Sequence, residues 1–298
     1  MPSLRYASAQ SCGITVLLIA TATVSAQSFA DLQKLAASGD PQAQFQLGME
    51  YSVGQNVPFD MAQALHWYRL AAEKGIGEAE YNLALAYHNG LGAAKDEAQS
   101  VQWYMKAAEH GVPDAQFAVG RMYSTGQGVT ADRTKAVLWY RKAEEKRSYP
   151  TAELSLGDIY ATGRGAAKDP AEAMRWYRKA AEGDNLIAQC RLAGGYLFGV
   201  GVPADTAQAA AWFRKAAVAG VPFAQYELGS MYDSGEGVGQ DFAEAYFWMS
   251  LAVSLETRPT KRDEIAERRD IAGSHLTETA LTETRDRIRK WTEEHPSN

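Results

Sequence analysis

The 298-residue chain carries 30 basic and 36 acidic side chains, a formal charge of −6. That balance argues against coating nucleic acid or an anionic membrane. A hydrophobic share of 46% excludes a disordered chain, and two cysteines, Cys12 and Cys190, are too few for a disulfide framework or a structural zinc site.

Residues 1–26 read as a secretory leader. Arg5 gives the positive start, Ile14–Ala20 the apolar run, and Val24-Ser25-Ala26 the small residues of a cleavage site, so cleavage is expected after Ala26. The apolar run is shorter than the roughly 20 residues a membrane span needs. Cys12 precedes that run, so the mature chain keeps one thiol, Cys190, and must be stable without an internal disulfide. The expected destination is the periplasm or the exterior. Residues 27–39 run into Ala36-Ala37-Ser38-Gly39 before Asp40, which mimics the close of a second helix and suggests an N-terminal half-repeat.

A period of 36 dominates residues 40–254. Trp67, Trp103, Trp139, Trp176, Trp212 and Trp248 are spaced 36, 36, 37, 36 and 36. Tyr51, Tyr87, Tyr123, Tyr160, Tyr196 and Tyr232 keep the same spacings, as do Asp60, Asp96, Asp132, Asp169, Asp205 and Asp241. Six repeats follow: 40–75, 76–111, 112–148, 149–184, 185–220 and 221–254, with the one extra residue near Lys146–Pro150. The first half of each carries a set such as Ala43, Leu47, Gly48 and Tyr51 on one helical face. The Gly or Ala beside the leucine predicts close approach by another helix. Pro41, Pro113, Pro150 and Pro222 suit a first helical turn.

That helix stops at paired glycines, Gly90 and Gly92 through Gly235 and Gly237, with Gly54 and Asn56 in the first repeat. Asn in the second place predicts a left-handed backbone there. A dinucleotide loop needs a third glycine and a preceding strand, and neither is found. The aspartates open the second helix. Gln63, Gln99, Glu172, Gln208 and Glu244 stand at capping-box spacing. Ala64, Trp67 and Ala71 mark its expected buried stripe, and Gly75, Gly111, Gly183 and Gly220 its expected end. Residues 255–298 leave the period. Ile265, Ile271, Leu276, Leu281, Ile288 and Trp291 among many charges predict two amphipathic capping helices, the second capped by Thr277.

The units resemble Sel1-like repeats, relatives of tetratricopeptide repeats. The resemblance rests on Ala224, Leu228-Gly229, Tyr232, Gly235, Gly237-Val238, Asp241, Ala245 and Trp248, and on Trp176-Tyr177-Arg178-Lys179-Ala180-Ala181-Glu182. It implies an all-α fold, a right-handed α-solenoid of stacked helix-turn-helix units, with protein binding as its role and no cofactor. A secreted subgroup linked to β-lactam binding or hydrolysis carries a cysteine pair in every repeat. This chain lacks those pairs, so a cell-wall or β-lactam hydrolase is the alternative reading.

Catalytic, cofactor and metal residues are not found. His66, His88, His110, His275 and His295 do not fall at metal-ligand spacing, and no nucleophile elbow appears. The expected function is that of an exported scaffold, a monomer that binds an envelope or host protein and not nucleic acid. By analogy with tetratricopeptide repeats the first helices line a concave face. Candidate binding residues there are the row Phe45, Tyr81, Phe117, Leu154, Cys190 and Tyr226, although aromatics at helical spacing are more often core packed against the preceding unit. Met49, His88, Asn89, Arg121, Asp158, Leu197, Phe198 and Asp233 are further candidates because they vary between repeats.

Overall fold

The computed structural model describes residues 26–295. The leader through Ser25, including Cys12, lies outside them. The described residues form fifteen helices and no strand. The chain divides into two compact units between Val119 and Gly120.

The first unit holds α1 (Ala26–Ser38), the hairpin of α2 (Pro41–Val53) and α3 (Met61–Ala72), and the hairpin of α4 (Gly77–Asn89) and α5 (Glu97–Glu109). It ends inside α6 (Pro113–Thr125). The second unit continues with α7 (Arg133–Glu144), α8 (Pro150–Thr162), α9 (Pro170–Glu182), α10 (Leu186–Phe198) and α11 (Thr206–Val218). It closes with α12 (Pro222–Ser234), α13 (Phe242–Leu255), α14 (Pro259–Ser274) and α15 (Glu278–Glu294).

Every predicted aspartate caps its helix. The carboxylates of Asp60, Asp96, Asp132, Asp169, Asp205 and Asp241 each accept from a backbone N–H in the first turn of the helix that follows, satisfying donors the helix cannot pair itself. The reciprocal arm of the capping box does not form. Each aspartate's own N–H instead donates to the carbonyl of the repeat's tyrosine at 2.8–3.0 Å, which closes the loop between the two helices. The freed Glu172 and Glu244 accept from the indole N–H of Trp176 and Trp248, at 3.0 and 2.9 Å.

The glycine beside the leucine is where the two helices of a hairpin meet. A Cβ on Gly48, Gly120 or Gly157 would stand 2.7, 2.6 or 2.5 Å from the ring of Tyr68, Tyr140 or Tyr177. These tyrosines, one residue after each tryptophan, are the buried aromatics of the second helix. The tryptophan expected in the buried stripe is only half-buried in the first five repeats. In repeats two to five a lysine three residues on covers the ring, as with Lys106 over Trp103 at 4.0 Å and Lys215 over Trp212 at 3.9 Å.

In repeats two to six both glycines of the pair have positive φ. The second also touches the preceding repeat: a Cβ on Gly92, Gly201 or Gly237 would overlap the carbonyl oxygen of Met61, Pro170 or Thr206. Asn56 departs from the expectation. Its φ is not positive, and its Nδ2 donates to Glu50 at 2.7 Å, so a side-chain bond holds the first loop. Gly183 departs as well. Its φ is −86°, and Asp184 takes the left-handed position instead. Gly183 is needed one residue earlier because a side chain there would strike Pro150.

A buried polar series was not foreseen. Gln44, Gln116, Gln189 and Gln225 follow the series alanine and reach back to the carbonyls of Ala36, Ala108, Ala181 and Ala217, at 3.1–3.3 Å. Each joins a first helix to the end of the second helix before it. Glu80 and Glu153 occupy the same place with other partners. Glu80 meets His110 Nδ1 at 2.6 Å. Glu153 accepts from Ser148 at 2.9 Å and pairs with Lys179, which also pairs with Glu144.

The tail supplies the second unit's cap. Ile265 of α14 is fully buried with Tyr226, Met249 and Ala252. Trp291 of α15 stands 5.8 Å from the rings of both Phe247 and Trp248. Thr277 caps α15 by accepting from Ala280. Ile271, expected on the buried face, is 52% exposed: Ile265 and Ala272 fill the inner face of α14.

Candidate functional site

Among the first unit's sequence candidates, Phe45 and Met49 are buried together with Tyr68, whose ring lies 6.0 Å from that of Phe45. Burial pushes the Tyr68 phenol up to about 12. Tyr81 is half-buried, edge-on to Tyr104 at 5.8 Å, and Phe117 is half-buried. His88 Nδ1 lies 3.2 Å from Glu97, and Asn89 is exposed, donating to its own helix at Leu85. In the second unit Arg121 is exposed and Leu154 half-buried. Tyr226 is buried beneath Lys261 at 4.5 Å. Leu197 packs against the core, and the backbone carbonyl of Asp233 accepts from Gln240.

The structure brings Cys190 and Phe198 together, beside Asp158, at an open apolar cavity of about 740 Å³. The cavity lies along α10, between α9 and the start of α12. Its origin is the small size of Cys190 and Gly194. Where other repeats place Phe45, Tyr81, Phe117, Leu154 or Tyr226, the fifth has Cys190. Gly194 stands where Met49, Leu85, Arg121, Asp158 and Ser230 stand, and Gly195 where Glu50, Ala86, Met122, Ile159 and Met231 stand. A Cβ on Gly194 would meet nothing within 4 Å, whereas one on Gly195 would overlap Met174, whose thioether fills that notch.

The rim is apolar and wet. Phe198 is 76% exposed, Ile187 59% and Phe223 51%. Three large apolar side chains exposed around one recess make a contiguous patch, and such patches mark interaction sites. Tyr177 lines the wall, donating to Asp158 at 2.8 Å. Burial first, then the Asp158 carboxylate, raises the Tyr177 phenol above its ordinary range. Arg191 reaches Asp158 at 3.6 Å. Burial pushes the Cys190 thiol up to about 11, so the group is neutral at physiological pH and serves as an apolar wall. Ile187, Gly194 and Phe223 were not among the sequence candidates. Their signal was present as size changes down the repeat columns.

Among the described residues no three His, Cys, Asp or Glu side chains are grouped to hold a metal ion. No described helix is long and apolar enough to cross a membrane.

Residues 41–76, 77–112, 113–148, 150–185, 186–221 and 222–256 each match the Sel1 repeat. The chain belongs to the Sel1 repeat family. Among solved structures, a Sel1 repeat protein from Oxalobacter formigenes is 31% identical with a TM-score of 0.60, the match covering 78% of this chain and 93% of that one. A protective antigen of uropathogenic Escherichia coli with the same repeat fold is 25% identical with a TM-score of 0.57, covering 90% and 87%. No curated protein matches the chain. As a Sel1 repeat protein the chain is an all-α solenoid, a repeat scaffold of the kind that generally serves protein–protein interaction.

Proposed function

We propose that this Sel1 repeat protein is an exported scaffold, periplasmic or secreted after cleavage behind Ala26, that acts as an adaptor or regulator of an envelope or host protein. The observation that carries the reading is the division of labour among the repeats. Their recurring residues are consumed by caps, glycine contacts and buried glutamines, while the fifth repeat gives up bulk at Cys190 and Gly194 and leaves Ile187 and Phe198 in water. An apolar recess with exposed large side chains at its mouth is the anatomy of a protein-docking surface. The leader-like segment 1–26 supports export. Likeness to an E. coli protective antigen supports exposure to a host.

The test uses the mature chain as cross-linking bait in an envelope fraction, with β-lactam and peptidoglycan turnover measured on the same preparation. A defined protein adduct without turnover is the expected result. Turnover abolished by a single substitution overturns the scaffold reading, and an N-terminus other than Gln27 in the exported protein overturns the cleavage site.

A further inference from the structure

We infer that the fifth-repeat cavity seats an amphipathic helix of a partner protein, its bulky apolar residues over Gly194 and an acidic residue at Lys168. This rests on the protein-binding reading above and names the chemistry of the partner.

The first argument is shape. Ile187, Cys190, Gly194 and Phe198 step along α10 by three and four, so they form one continuous seam on a single helical face. At 1.5 Å per residue the seam runs about 17 Å, three turns of a partner helix. Gly194 at its centre, with open space where a side chain would be, lets another helix approach closely. The second argument is width. Phe198, Ile187 and Phe223 remain more than half exposed on the rim. A single acyl chain lying in the recess would leave them wet, whereas a helix of roughly 10 Å diameter covers both sides.

The third argument is charge. The cavity lining holds two cations, Lys168 and Arg191, and no carboxylate. Arg191 is engaged by Asp158, which also accepts from the Tyr177 hydroxyl, so Lys168 is the lining cation left for a partner. Glu227 stands close enough to act on the Cys190 thiol and lies outside the lining. Lys168 is exposed and has no ion-pair partner among the described residues. On a chain of net charge −6, a partner's acid is attracted at this rim and repelled over much of the remaining surface, which fixes orientation as well as affinity. The same net charge disfavours a second copy of this chain as the occupant.

The probe is an 18-residue model helix with leucines at i, i+3, i+4 and i+7 flanked by glutamates, titrated into the mature chain by calorimetry. Its partner probe has lysines in place of the glutamates. The glutamate helix should bind at least tenfold tighter than the lysine helix. Gly194→Phe, whose ring enters open space on a helical backbone, should fold, melt no lower than the parent and lose at least tenfold in affinity. Lys168→Glu should narrow the preference between the two probes. Equal binding of both probes, or undiminished binding to folded Gly194→Phe, overturns the inference. So does tighter binding of dodecanoate than of either helix, or a dimer in sedimentation that Gly194→Phe abolishes. If the probes fail while the envelope cross-link persists, this inference alone falls. If the cross-link fails too, the protein-binding reading falls with it.

Discussion

Replacing Gly201 with alanine should destabilise the second unit by about 2–5 kcal/mol, while the same change at Gly194 in the same repeat should stabilise it. Gly201 has a φ of +76°, where an L side chain costs about 1–2 kcal/mol. The added Cβ would overlap the carbonyl oxygen of Pro170, the first residue of α9. Backbone cannot swing aside as a side chain can, so relief requires moving one hairpin from the next. Overpacking of that kind costs about 1–3 kcal/mol. Gly194 sits within α10 with nothing within 4 Å of its Cβ position. There alanine only reduces backbone freedom in the unfolded chain, a gain of about 0.5–1 kcal/mol. Thermal melts followed by circular dichroism should show Gly201→Ala falling by roughly 5–15 °C and Gly194→Ala rising by about 1–4 °C. Hydrogen exchange should place the Gly201→Ala loss at the junction of α9 and α10. A Gly201→Ala melt within 1 °C of the parent, or a lower melt for Gly194→Ala, would refute the reasoning that this glycine is where successive repeats touch.

Other consequences can be checked in the same preparation. Gln225→Met keeps the side chain's length but leaves the Ala217 carbonyl without its donor, and should cost about 1–3 kcal/mol in urea denaturation; an unchanged midpoint would remove the buried glutamines from the account. Lys179→Met should lower the urea midpoint at pH 7.5 far more than at pH 4.5. Burial and the neighbouring Glu153 hold the Glu144 carboxyl above its ordinary value. A raised carboxyl favours the folded state below its ordinary pKa of 4.5 and loses that contribution as pH rises through the raised value; a pH-independent difference would contradict this. Alkylation of Cys190, read by peptide mapping, should run about a hundredfold slower at pH 8 in the folded chain than in the unfolded one, since the thiol is shifted from 9.0 to about 11. A folded rate that levels off near pH 9 would show the thiol to be unshifted.

The frame was legible because each recurring residue answers to a local rule. Asp60 and its counterparts are caps whatever lies around them, and the first glycine of each pair, Gly90 through Gly235, ends its helix by taking the left-handed backbone there. What the sequence concealed depends on a neighbouring repeat. Asn56 looked left-handed by analogy with Gly92, but Gly92 is glycine also because it crosses the Met61 carbonyl. Gln225 looked like an ordinary polar position, since its partner is a carbonyl at the end of the previous hairpin. Trp176 drew attention through its period, yet Tyr177 beside it holds the interior, because the indole donates to Glu172 and lies under Lys179 at the helix surface. The fifth-repeat cavity was written in the columns as lost volume. Reading each repeat position for size rather than for recurrence would have reached Gly194.

The most direct test places a photo-cross-linking phenylalanine at position 198, and at the equivalent positions 53, 162 and 234, in the chain within its native cell. One discrete protein adduct from position 198, absent from the other three and lost when Gly194→Phe is added, is the predicted result. Adducts of equal yield from all four positions, or an adduct at 198 indifferent to Gly194→Phe, would contradict the claim that the fifth repeat is where this scaffold takes hold of its partner.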